Sequence, residues 1–91
     1  MTTLSAKLIL YIPHATSLKD KRMVVRGLVD KTKRKFNTAI AEVDTQDVHQ
    51  TLTLGIAVVS GEHSHAANML EEIIRYIESN PDAELTRVER L

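Results

Sequence analysis

Two stretches of period-two alternation constrain this chain more than any other feature. Leu4, Ala6, Leu8, Leu10 and Ile12 alternate with Ser5, Lys7, Ile9 and Tyr11. Leu52, Leu54, Ile56 and Val58 alternate with Thr53, Gly55, Ala57 and Val59. Successive side chains on a strand point to opposite faces, so each stretch predicts a strand with one buried face. Pro13 ends the first, because it has no N–H to give the ladder. The second face of Gln50–Ser60 is small and uncharged, which suits sheet packing against a partner or a second copy of the chain.

Between and after these strands the period changes to that of a helix. Ser17 is a good N-cap, and Asp20 three residues on completes a capping-box-like pair. From there to Lys35, Leu18, Val24, Val25, Leu28, Val29 and Thr32 recur at helical spacing, continuing to Phe36. Gly27 interrupts this helix at a cost of about 1 kcal/mol relative to alanine, and Asn37 suits a left-handed exit. Residues 38–44 read as a second strand, with Glu42 and Asp44 on one face, and residues 45–49 as a polar connection. Ala66, Met69, Leu70, Ile73, Ile74 and Ile77 form the stripe of a second helix, which Ser60 or Ser64 would cap and Asn80-Pro81 stop. Residues 83–91 make a charged edge strand. The order β, α, β, β, α, β predicts an α+β, ferredoxin-like fold with a four-stranded antiparallel sheet and two helices on one face. At 91 residues this is one domain, 1–91.

Composition removes several kinds of chemistry. The chain has no cysteine, so disulfides, iron–sulfur clusters, thiolate zinc sites and cysteine nucleophiles are all excluded. No glycine-rich phosphate loop is present, so nucleotide hydrolysis has no support. No cofactor is expected. No apolar run approaches bilayer length, and Met1-Thr2-Thr3 does not open a signal peptide. The expectation is a cytoplasmic protein without a membrane partner.

Twelve basic and twelve acidic residues cancel in the total charge but not along the chain. Residues 17–36 hold eight Lys/Arg against two acids, and the remainder holds four against ten. One basic helix thus sits on an acidic domain. At 100° per residue, Lys19, Arg22, Arg26 and Lys33 fall in a stripe roughly 60° wide. With Ser17 and Lys21 beside the free N–H groups of the helix start, they form the candidate RNA- or anion-binding set. A solvated helix face is the ordinary alternative. Only Tyr11, Phe36 and Tyr76 are aromatic, which argues against a sheet that stacks bases. Glu42, Asp44, Asp47 and His49 form a second candidate cluster, for a metal, a small ligand or acid–base work. An ordinary charged turn is its alternative. His63 and His65, two apart, do not share a helix face.

The blocks Ser17-Leu18-Lys19-Asp20-Lys21-Arg22, Ala41-Glu42-Val43-Asp44 with Gln46-Asp47 and Gln50, and Leu54-Gly55 with Val58-Val59-Ser60 resemble the YlxP-like family. These are small bacterial proteins of unknown function. The resemblance spans essentially the whole chain. It implies a ferredoxin-like fold and no established catalytic activity. Because such proteins are often encoded near genes for translation and ribosome maturation, it also implies a ribosome-associated role. The resulting expectation is a non-enzymatic accessory factor. It would bind ribosomal RNA, the small ribosomal subunit or a ribosome-associated protein through the basic helix. The alternatives are a metal or small-molecule site at residues 42–49, and a homodimer through the open sheet face.

Overall fold

The computed structural model describes residues 1–91. The elements are β1 (Thr2–Tyr11), α1 (Leu18–Lys35), β2 (Ala39–Glu42), β3 (Thr51–Ser60), α2 (His63–Glu78) and β4 (Glu84–Arg90). The strands form one sheet in the order β2-β3-β1-β4, antiparallel throughout. This is the expected ferredoxin-like arrangement. β1 and β3 pair along their full length, from Thr2 opposite Ser60 to Tyr11 opposite Thr51. That register places Ala6, Leu8 and Leu10 beside Ile56, Leu54 and Leu52 on the same face. All six are buried, together with Leu28 of α1 and Ala66, Leu70, Ile73, Ile74 and Ile77 of α2. The two alternations and the two helical stripes therefore meet in one core.

The ends of the elements differ from expectation in ways that have local causes. Ser17 caps α1 by accepting the Asp20 N–H at 3.1 Å. The Asp20 carboxylate does not accept from the Ser17 backbone N–H, so the capping box stays open. It accepts from the Thr16 backbone N–H at 3.1 Å and the Thr16 hydroxyl at 2.6 Å instead. α1 ends at Phe36 in extended backbone, its N–H still donating to the Thr32 carbonyl, and Asn37 is not left-handed. α2 starts after Glu62 without a side-chain cap. Ser60 accepts from the Glu62 N–H, two positions too early to cap the helix, and Ser64 lies inside it. At the other end Asn80 accepts the Asp82 N–H in an Asx turn. β4 carries a register shift opposite Ile9 and Leu10, where the Thr86 hydroxyl donates to the Ile9 carbonyl.

β2 is shorter than the sequence pattern suggests, and the reason is one residue. Asp44 has φ 63°, the only non-glycine residue with positive φ. Aspartate tolerates this left-handed conformation better than most residues. It ends the alternation, so Glu42 and Asp44 do not share a face. Glu42 turns toward α1, while Asp44 joins Lys7 on the open face of the sheet at 2.7 Å.

On the helical side, Phe36 and Tyr76 meet edge to face, with centroids 5.5 Å apart and planes at 71°. Lys35 lies 5.1 Å from the Tyr76 ring centroid. The pair joins the last turns of α1 and α2. Arg90 of β4 grips Glu71 of α2 through two hydrogen bonds at 3.0 and 2.6 Å. A domain of this size has a total stability of about 5–9 kcal/mol. Ile73 is fully buried, so Ile73→Ala should cost about 2–5 kcal/mol. Urea denaturation followed by circular dichroism should show a lower midpoint with an unchanged slope.

Candidate anion and nucleic-acid interface

α1 carries eight of the twelve basic residues, and the structure divides them by direction. Around the helix axis Lys21 lies roughly 20° from both Leu28 and Thr32, at the centre of the inward face. It is 1% exposed. Its ammonium donates to the carbonyls of Thr45 and of Val48, the latter at 2.7 Å, and lies 2.8 Å from Glu42 Oε2. The Glu42 contact is an ion pair without an aligned hydrogen bond, since Oε2 has no hydrogen-bond partner. Lys21 is therefore not part of the exposed cationic surface and drops out of the candidate anion-binding set. The sequence stripe that points to binding omits it, and the full set of apolar positions around it is the signal that identifies its burial.

The turn after β2 is built around this ammonium. Val48 N–H donates to the Thr45 carbonyl, and Thr45 N–H to that of Val43. The Thr45 hydroxyl bonds to that of Thr53 at 3.1 Å. Ile12 N–H reaches the Gln50 carbonyl at 2.8 Å, and the Gln50 side chain donates to the Pro13 carbonyl. The loop before α1, the first turn of α1 and the β2–β3 connection thus form one braced end of the molecule.

This bracing accounts for the acidic candidates as well. Glu42 faces Lys21, Asp44 faces Lys7, and Asp47 and His49 are exposed. No group of three or more His, Cys, Asp or Glu side chains converges to hold a metal ion anywhere in the chain. The four residues do not form one site. His14, His63 and His65 are likewise exposed.

The remaining candidates, Lys19, Arg22, Arg26 and Lys33, are exposed, with Ser17 half-buried at the cap. Lys19, Arg22 and Arg26 line a groove of about 510 Å³ on the outer surface of α1, together with Met23, Gly27 and Asp30. Lys33 lies one turn beyond it. Met23 is 68% exposed. Of the eight cations on α1, only Lys21 has an acidic partner; outside α1, Lys7, Arg87 and Arg90 are paired and Arg75 is not. Asp20, at the N-terminal end, is occupied by Thr16.

Opposite the helices, the open face of the sheet holds a second shallow groove of about 510 Å³, lined by Lys7, Ala39, Ala41, Val43, Gly55 and Ala57 among others. Val43 lies over Gly55, where a Cβ would come 3.4 Å from its Cγ1. Tyr11, at the end of this face, is half exposed. Phe36 and Tyr76 are engaged with each other on the helical side.

The architecture and the divided helix define a ferredoxin-like α+β domain with a free cationic helix surface. Residues 3–90 match the family described as "Protein of unknown function (DUF503)", and the chain belongs to that family. Over 72 residues it is 36% identical to the uncharacterized protein YlxP of Bacillus subtilis (strain 168), covering 79% of this chain and 78% of that one. Among solved structures it resembles a de novo designed protein with a ferredoxin fold, with a TM-score of 0.59 and 22% identity. That likeness covers all of this chain and 84% of the other, and it bears on the fold alone. No helix is long and apolar enough to cross a membrane.

Two predictions follow from the braced end. Lys21→Met leaves the Glu42 carboxylate without its ion-pair partner and two turn carbonyls without their donor. Breaking a buried pair in this way costs about 3–5 kcal/mol, which urea denaturation should detect. Lys21→Met/Glu42→Leu should recover only part of the loss, because the carbonyls of Thr45 and Val48 stay unpaired. Second, the hydrogen bonds from the Thr16 side chain, then from its backbone N–H, hold Asp20 below the usual carboxylate range. A depressed folded pKa contributes stability above the unfolded value, and that contribution is lost as pH falls through the folded value. An NMR titration of the Asp20 carboxyl should give a midpoint below that of the same residue in a peptide. Thr16→Val should raise that midpoint by removing the hydroxyl donor.

Proposed function

We propose that this protein is a non-enzymatic docking factor that binds RNA through the outer surface of α1. Ribosomal RNA, in the small subunit, is the partner that the family resemblance favours, and the setting would be the cytoplasm. One observation carries the reading. Seven cations on one helix are exposed and lack an acidic partner, whereas three of the four elsewhere are paired. A surface left uncompensated in this way attracts polyanions through counterion release, without reading sequence. Arg22 and Arg26 add planar donors that match phosphate oxygens. The scattering of Glu42, Asp44, Asp47 and His49 removes the main support for the metal or catalytic alternative.

Co-sedimentation with purified small ribosomal subunits at low and moderate salt tests this function. The unaltered protein should pellet at low salt and release at moderate salt. If about three phosphates are engaged, the logarithm of affinity should fall with that of salt with a slope of about −2 to −3. Lys19→Glu/Arg22→Glu/Arg26→Glu, with its fold checked by circular dichroism, should stay in the supernatant. Absence of binding even at low salt, or binding indifferent to salt, contradicts the proposal.

A further inference from the structure

Gly27 occupies a position that the folded chain itself does not require to be glycine. No glycine here has positive φ, so its backbone is open to any residue with ordinary helical angles. A Cβ built at Gly27 meets nothing within 4 Å, so packing within the chain does not exclude a side chain either. Helix propensity favours alanine there. Gly55 differs, since a Cβ there would press on Val43. What Gly27 supplies is an open floor to the α1 groove, between Met23 and Asp30 and flanked by Lys19, Arg22 and Arg26.

We propose that Gly27 is a contact position at which the ribose-phosphate backbone of RNA approaches the helix directly. The inference rests on the RNA reading above and adds where the strand lies. Phosphates sit over Lys19, Arg22 and Arg26, and the sugar edge lies on Met23 and the bare helix backbone at Gly27. Charge selects the occupant. A second copy packed symmetrically on this face would bring the same cationic groove, and like charges brought together oppose association. An apolar segment would leave the cations uncompensated. A nucleic-acid strand repeats its charge at each nucleotide, as these cations repeat at each helical turn. Asp30 closes the far end of the groove, where its carboxylate repels a further phosphate.

The test compares Gly27→Ala, Gly27→Leu and Lys19→Glu/Arg22→Glu/Arg26→Glu with the unaltered protein, by fluorescence anisotropy against a short labelled hairpin RNA and by thermal melting. Gly27→Ala should melt about 4–8 °C higher, yet bind RNA about tenfold more weakly, because its methyl group stands where the strand must pass. Gly27→Leu should bind more weakly still. Both should keep the salt slope of the unaltered protein, since the cations remain. If both Gly27 variants bind as tightly as the unaltered protein while the charge-reversed variant does not bind, the assignment of Gly27 is overturned and the RNA reading stands. If the unaltered protein does not bind, both are overturned.

Discussion

The ammonium of Lys21 is the contact on which the braced end of this molecule depends. It is nearly inaccessible to solvent and collects two turn carbonyls and the Glu42 carboxylate. A buried cation is tolerated only when it is paired and its donors are used, and here all three ammonium hydrogens have an oxygen in reach. The interaction spans α1 and the β2–β3 connection, which are separated by more than twenty residues of chain. It fixes the first turns of α1 against the sheet and shapes a turn that has little apolar surface of its own. The left-handed Asp44 completes the arrangement by sending its carboxylate to Lys7, away from Lys21.

The consequence is a helix with two kinds of cation. Lys21 is consumed inside, and Lys19, Arg22 and Arg26 are presented outside without an ion-pair partner. Burial of the inward face against β2 and α2 fixes the direction in which the outward face points. A charged surface on a rigid element binds a polyanion with less loss of freedom than the same charges on a loop.

Most of the architecture is legible in the sequence because it rests on strong periodicity. The alternation at 4–12 and 52–58 sets the two central strands, and Ser17 and Asn80-Pro81 punctuate the helices as their chemistry dictates. Two features at the candidate site escape that reading. Lys21 counts as surface charge by residue type, although its place between Leu28 and Thr32 on the wheel assigns it to the core; long side chains can carry a buried charge to a distant partner. Glu42 and Asp44 share a face only if the strand continues, and the backbone reversal at Asp44 is a single-residue event that alternation does not encode. Asp20 reaches Thr16 in place of the Ser17 backbone N–H for a similar reason: several donors lie within range of a short carboxylate, and loop geometry chooses among them.

The division of α1 into structural and free cations can be measured directly by lysine acetylation under native conditions, with each site resolved by mass spectrometry. Lys19, Lys31 and Lys33 should react rapidly while Lys21 is protected until the protein unfolds, and added RNA should slow Lys19 without changing Lys21. Acetylation of Lys21 in the folded protein at the rate of Lys19 would contradict that division.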